Sequence, residues 1–205
     1  ADKTAKLKQQ AAFQHEYLRM AVLNTATNTI GTVPAATTVA FGASDSAIRS
    51  AIHTNVTLAL ESALGGIPYT GVLALCSETF WAGLIESKTI RETYLNWQAA
   101  QDMRGNPANS FTFGGVIWER YRASGNIAIA SGKAKVIPLG VPNLFQQWFA
   151  PDDTLDSVGV GAMGAPWYLN SIPIEGNKGY RLTLSTHPLM VCTRPTAVLT
   201  LQLSG

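Results

Sequence analysis

The residues of this chain best suited to chemistry are its cysteines, its histidines and a pair of adjacent aspartates. Cys76 ends a run of apolar residues, and Ser77 follows it at the predicted start of a helix. A helix N-terminus lowers the pKa of a nearby thiol, so Cys76 is a candidate nucleophile for a cysteine-dependent hydrolase. No His and Asn or Asp partners are identifiable, which favours a small core residue instead. Cys192 also sits in an apolar run and favours the same interpretation.

Metal ligation has equally little support in the sequence. His15, His53 and His187 lie in separate segments and lack the paired spacing of zinc ligands. Asp152 and Asp153 could bind a divalent ion together, but Asp after Pro is a frequent turn element, and we favour the turn. We therefore predict no catalytic residue, no metal site and no cofactor.

The composition favours a protein that is covered by partners rather than one that works alone. Of 205 residues, 46% are hydrophobic and only 14% are charged, with a net charge of +2. Charged surface normally keeps proteins apart, so its scarcity suggests association. The basic residues are scattered except for Lys3, Lys6 and Lys8, which we interpret as a solvated helix face or a DNA-facing one. No apolar run reaches the roughly 20 residues of a membrane span, so we expect a cytosolic or virion protein.

Helical patterns dominate the first half of the chain. Residues 1–23 repeat apolar positions on one face (Leu7, Ala11, Leu18 and Val22) and on a second sector (Phe13, Tyr17 and Met20), which predicts a long helix packed on two sides. Residues 38–41 predict a short strand. Further predictions are a helix capped by Ser44 or Asp45 and ended by Gly65–Gly66, a buried strand at Val72–Cys76, a helix capped by Ser77, and a helix at Ile90–Met103.

Strand patterns dominate the second half. They predict strands at Ser110–Phe113, Val116–Arg122, Lys133–Pro138, Tyr180–Ser185 and Met190–Leu203. Helices come first and strands later, so the sequence predicts an α+β fold rather than an alternating βαβ domain.

Two proline-rich segments are the most distinctive parts of the sequence. One runs from Pro138 to Phe145 and on to Asp152, and the other spans His187–Pro195. Prolines separated by large apolar residues describe extended chain with fixed corners. Both segments resemble signature segments of the lambda-type phage major capsid protein E family. Three further segments resemble the family in the same order, so the similarity covers almost the whole chain: Glu61–Gly66 with Gly71–Cys76, Arg91–Gln98, and Phe113–Tyr121.

The resemblance implies the tailed-phage major capsid fold, also called the Hong Kong ninety-seven fold, an L-shaped plate with an axial and a peripheral lobe. It implies that residues 1–42 form the spine helix and a short β segment of the peripheral lobe, and that residues 43–166 form the axial lobe. Residues 167–187 would return to the peripheral sheet and 188–205 would add the final axial strand. His187 and Pro188 would mark the lobe crossover, where proline biases the preceding residue toward extended conformations. Family members begin with an arm, an extended loop and the start of the spine helix, so we expect this chain to lack its N-terminal region.

The function implied by the resemblance is structural and not enzymatic. We expect a major capsid subunit of a tailed bacteriophage or prophage that forms hexamers and pentamers of an icosahedral shell around double-stranded DNA. Expected partners are copies of itself, scaffold, portal and decoration proteins and non-specifically bound DNA, with assembly in the host cytoplasm and no membrane contact. Candidate assembly contacts are Arg104, Asn106 and Pro107, and an aromatic group that could equally be buried under loops: Trp148, Phe149, Trp167 and Tyr168. The alternatives are a nanocompartment shell of the same fold and, more remotely, the hydrolase that uses Cys76.

Overall fold

The computed structural model of this chain describes residues 2–25, 28–40, 48–95, 110–152, 163–176 and 178–204. The helices in this part are α1 (Asp2–Thr25), α2 (Ile48–Ile52), α3 (Ala59–Leu64), α4 (Glu78–Glu86) and α5 (Lys88–Leu95). The strands are β1 (Thr37–Val39), β2 (Gly71–Cys76), β3 (Ser110–Phe113), β4 (Val116–Arg120), β5 (Lys133–Leu139), β6 (Phe145–Phe149), β7 (Tyr168–Pro173), β8 (Tyr180–Ser185), β9 (Pro188–Cys192) and β10 (Leu199–Leu203). The prediction of an α+β fold is confirmed.

Helix ends follow the local chemistry of the sequence. Ser77 caps α4 as predicted, because its Oγ accepts a hydrogen bond from the backbone N–H of Phe80 at 3.4 Å. Gly65 ends α3 in the left-handed conformation with φ 59°. A π-helical segment, His53–Leu58, joins α2 to α3 and was not predicted. The predicted caps at Ser44 or Asp45 and the end of the helix at Ile90–Met103 fall outside the described residues.

The main sheet has six strands in the order β1-β10-β5-β2-β4-β3. The pairs β1–β10 and β2–β4 are parallel, while the other neighbours are antiparallel. One face is covered by α2–α5 and holds the larger core, whose fully buried side chains include Leu60, Phe80 and Trp118. Trp118 Nε1 donates to the carbonyl of Phe113 at 3.1 Å, so its one polar atom is satisfied.

The opposite face of this sheet packs against a second core. Met20 and Leu23 of α1 meet Met190 and Cys192 of β9 there, with Leu75 from β2 packed against the cluster. Strand β2 is therefore buried on one face and half-buried on the other, a partial match to the predicted strand buried on both faces. Both cores pack on the main sheet, and α1 is attached to that sheet through the second core.

Two small antiparallel sheets complete the described part of the chain. Strand β6 pairs with β9, and β7 pairs with β8 as a hairpin, which we call the β7–β8 hairpin. Helix α1 contacts both β8 and β9. A two-stranded hairpin is marginally stable alone, so packing on α1 contributes to its stability.

Several strand predictions were wrong in detail. The predicted strand at Met190–Leu203 is two strands, because Pro195 lacks a backbone N–H and begins a 3-10 turn at Pro195–Ala197 that redirects the chain to a different sheet. Strands β6 and β7 were not predicted. In the β5–β6 turn, Gly140 and Asn143 take positive φ values of 78° and 57°, and a Cβ at Gly140 would lie 2.6 Å from Thr70 Oγ1.

Helix α1 is packed on two sides only in its second half. Met20 is buried as expected, but Phe13 of the predicted second sector is 60% exposed. The prediction that Phe13 packs inward was therefore wrong.

A lysine is buried in the main sheet. Lys135 of β5 lies on the sheet face that carries the second core, since side chains alternate along a strand, and it is only 7% exposed. Its Nζ donates to Thr200 Oγ1 of β10 at 2.9 Å. Burial, together with repulsion from Lys133, lowers the pKa of Lys135. Keeping this side chain charged in the folded state therefore costs free energy.

This pair gives a test of how the sheet tolerates a buried ammonium group. Thr200→Val removes the acceptor and leaves the ammonium without it, so we expect a loss of about 2 kcal/mol in the free energy of unfolding. Lys135→Met combined with Thr200→Val replaces both polar groups and should recover that loss. Urea unfolding of the wild type, both single variants and the double variant measures the coupling. An unchanged stability of Thr200→Val would contradict the importance of this hydrogen bond.

Candidate functional site

A buried carboxylate joins several segments of the chain at one point. Asp152, three residues after the end of β6, is 4% exposed. Its Oδ1 accepts a hydrogen bond from Ser185 Oγ at 2.7 Å and lies 3.4 Å from His187 Nε2, while its Oδ2 accepts from Asn170 Nδ2 at 3.1 Å. The partners belong to β8, to the link between β8 and β9, and to β7. We call this group the Asp152 joint.

The composition of the joint suggests hydrolytic chemistry, but its geometry does not support it. In a catalytic triad the serine hydroxyl bonds to the histidine and the aspartate orients that histidine. Here Ser185 Oγ donates its hydrogen bond directly to Asp152 and not to a histidine. The hydroxyl is therefore not arranged as a nucleophile. Within the described ranges, no group of three or more His, Cys, Asp or Glu side chains is placed to hold a metal ion. The arrangement can hold chain segments together.

Helix α1 is fastened next to this joint by a buried histidine. His15 is 4% exposed, and its Nε2 lies 2.7 Å from Thr186 Oγ1. Its ring stacks on Trp167 with centroids 5.5 Å apart and an interplanar angle of 7°, and it meets Phe149 at 5.8 Å in a tilted arrangement. Burial, and secondarily the positive charge of Arg19, lowers the pKa of His15. We call His15, Phe149, Trp167 and Thr186 the His15 cage.

The structure brings together some of the residues singled out in the sequence. His187 lies between β8 and β9, and Pro188 begins β9 opposite Phe149. Tyr168 is half-buried, and its hydroxyl accepts a hydrogen bond from the backbone N–H of Ala165 at 2.7 Å.

The four aromatic residues do not behave as one patch. Trp148 is 59% exposed, whereas Phe149 and Trp167 contact His15. Trp167 is still 39% exposed, and a role of any of the four in assembly stays a prediction. Arg104, Asn106 and Pro107 lie outside the residues that the structure describes, and so does Asp153.

The family model for phage major capsid protein E matches residues 1–203 of this chain. The chain belongs to the phage major capsid protein E family. This is a family of structural proteins and not of enzymes. No curated protein matches the sequence significantly.

This chain shares the α+β fold of solved tailed-phage capsid structures. A prophage protein of E. coli CFT073 assigned as a capsid protein is similar with a TM-score of 0.60 at 12% identity, over 92% of this chain and 62% of that chain. A subunit of the mature capsid of bacteriophage PhiM1 is similar with a TM-score of 0.57 at 15% identity, over 98% and 65%. A phage-related protein of Bordetella bronchiseptica RB50 reaches 0.50 at 10% identity, over 98% and 66%. The chain thus spans about two thirds of the length of the proteins it matches.

The structure contradicts a catalytic role for the cysteine of this capsid-family chain. Cys76 is fully buried in the larger core, and burial raises the pKa of its thiol. Its Sγ lies 3.7 Å from the carbonyl of Ala74. The thiol lies within the core instead of being exposed at the start of α4, so the hydrolase hypothesis was wrong. Burial likewise raises the pKa of Cys192.

Sequence reasoning missed two of the four joint residues and one of the four cage residues in this capsid-family protein. Asn170, Ser185 and Thr186 were not singled out, and His15 was treated only as an unsupported metal ligand. The joint and cage partners are between 18 and 171 residues apart, so no local spacing connects them. The usable signals were Asp152 after a proline and His187 before one.

None of the helices in the described part of the chain combines the length and hydrophobicity needed to span a bilayer.

We expect Asp152 to be among the most sensitive polar positions. Asp152→Ala leaves Ser185, Asn170 and His187 without their common acceptor, which should lower the free energy of unfolding by about 2–3 kcal/mol. Glu175→Ala, at an exposed position in the β7–β8 hairpin, is the matched control and should change it by less than about 0.5 kcal/mol. Chemical denaturation measures both. Equal effects of the two substitutions would contradict the central role of the joint.

Proposed function

We propose that this chain is the shell-forming part of a major capsid subunit of a tailed bacteriophage or prophage. Copies of it assemble into hexamers and pentamers of an icosahedral shell that encloses double-stranded DNA. The observation that carries this proposal is the match to the phage major capsid protein E family over residues 1–203. The geometry agrees with a mechanical role, because the polar groups of the Asp152 joint connect segments of the chain and present no reactive group.

The proposal includes two lobes joined at His187 and Pro188. The axial lobe consists of residues 43–166 and 188–205, and it is supported by the pairing of β10 with β5 in the main sheet. The peripheral lobe consists of α1 and residues 167–187, and it is supported by the contact between His15 of α1 and Thr186. Strand β1 pairs with β10, so we place residues 37–39 with the axial sheet.

Exposure selects among the candidate assembly contacts. Trp148 lies directly opposite Leu189 on neighbouring strands, and both are about half exposed, at 59% and 49%. This pair is the best described candidate for contact with a second copy, since buried aromatic anchors dominate interfaces. Phe149 and Trp167 are better suited to supporting the His15 cage, since both contact the His15 ring. Arg104, Asn106 and Pro107 remain candidate contacts at the ring centre.

Head-to-tail contacts between identical subunits close into rings when the rotation allows it. The proposal places these rings in the virion capsid, assembled in the host cytoplasm with scaffold, portal and decoration proteins.

Lys3, Lys6 and Lys8 lie on the exposed first turns of α1 and would contact packaged DNA without sequence preference. A nanocompartment shell of the same fold is the alternative, and the family match favours the phage shell.

Electron microscopy of the complete parent protein, expressed alone and with a scaffold, tests the shell proposal. We expect closed shells or free hexamers, because ring-forming subunits associate once their edges are complete. Portal and genome packaging would distinguish a phage shell from a nanocompartment that encloses enzymes. A uniformly dispersed monomer under all conditions would contradict the proposal.

The lobe crossover gives a separate prediction. Pro188→Ala relaxes the conformation of His187 and should loosen the angle between the lobes, because proline restricts the residue before it. In the complete parent protein we expect a clear loss of shell yield with a small change in melting temperature. Shell yield by electron microscopy and calorimetry of the subunit measure the two effects. Wild-type shell yield from the variant would count against the crossover.

A further inference from the structure

The hydrogen bonds of the His15 cage define which nitrogen of the ring carries the proton. The single hydroxyl hydrogen of Thr186 is donated to the carbonyl of Pro166 at 2.7 Å. Thr186 Oγ1 therefore accepts the bond from His15, and His15 Nε2 must carry a hydrogen. In the neutral ring Nδ1 is then unprotonated, so a second proton would have to be added at Nδ1.

The surroundings of His15 oppose that second proton. Phe149, Trp167 and Thr186 are uncharged groups that cover the ring. On α1 itself, Arg19 adds a nearby positive charge, and it bonds Gln147 of β6 at 3.0 Å.

The acidic groups near the cage are already engaged with other partners. Glu16 of α1 pairs with Arg19 at 3.7 Å and accepts a hydrogen bond from Tyr121 at 3.1 Å. Asp152 accepts from Ser185 and Asn170 and faces His187, the other titratable group of the adjoining link. In the part of the chain that the structure describes, no carboxylate forms an ion pair with His15. A protonated His15 would gain no compensating charge.

We propose that His15 is a pH-sensitive latch, which fastens α1 to the link between β8 and β9 when neutral and releases it when protonated. The pKa of His15 in the closed state is lowered from the ordinary 6.5. The open state, with an exposed ring, therefore binds protons more readily than the closed one. The latch is at full strength above about pH 6.5 and weakens as the pH falls from there through the lowered pKa.

The latch concerns contacts within one chain and holds whether or not the parent protein forms shells. It goes beyond the shell proposal, because it makes the attachment of α1 to the β7–β8 hairpin responsive to acid. Failure of the latch would leave the family assignment unchanged, and failure of shell assembly would leave the latch unchanged.

Hydrogen exchange of the backbone amides of α1 and β8 tests the proposal in this chain as it stands. Rates are compared at about pH 7.5 and about pH 5 after correction for the intrinsic pH dependence of exchange. In the wild type we expect protection of both elements to fall by up to about 30-fold on acidification, the limit for a histidine of ordinary pKa in the open state and a much lower one in the closed state.

Three variants separate protonation from simple loss of a side chain. His15→Gln keeps an N–H donor for Thr186 but does not titrate, so protection should be equal at both pH values. His15→Ala removes the donor and the stacked ring, and protection should be low at both. His53→Gln, on an exposed residue of the π-helical segment, is the matched control and should behave as the wild type.

Two outcomes would overturn the latch. One is a loss of protection in His15→Gln equal to that of the wild type. The other comes from NMR titration of the His15 ring in the wild-type protein, which applies even where the variants do not fold. A midpoint below the ordinary value of 6.5 supports the latch, and a midpoint at or above it rules the latch out.

Discussion

The burial of Asp152 is the constraint on which the junction between the sheets depends. A buried carboxylate is costly unless donors surround it. Here the donors come from β7, from β8 and from the link that follows β8. If any of these segments moves away, the buried carboxylate loses a hydrogen-bond donor. The free-energy cost of that loss restrains the positions of all three segments.

The rest of the molecule is arranged on either side of this restraint. The main sheet has two covered faces, and its stability follows from apolar burial on α2–α5 and on the second core. The described residues of the β7–β8 hairpin belong to neither core, and the hairpin relies on α1 and on the joint. A two-stranded hairpin is marginally stable by itself, so its position depends on these contacts.

The predictable parts of this fold were those with local causes. Periodic apolar residues located α1, Ser77 located the start of α4, and β-branched and aromatic residues located β3, β5 and β8. Strand β6 was missed because its residues Gln146, Gln147 and Trp148 do not alternate in polarity, and its pairing with β9 is made about 40 residues away along the chain. The buried ring of His15 was missed for the same reason, since its partners lie more than 100 residues away. The family resemblance predicted the fold that these distant pairings form, because it applies to almost the whole chain and not to one local segment.

The position of β10 in the main sheet has a consequence for the order of folding. Strand β10 lies between β1 and β5, although it is the last of the described strands to be synthesised. Until it emerges from the ribosome, β1 has no partner in this sheet and one edge of β5 remains open. The sheet therefore closes only after translation has passed Leu203, and a nascent chain keeps an unpaired, aggregation-prone edge until then.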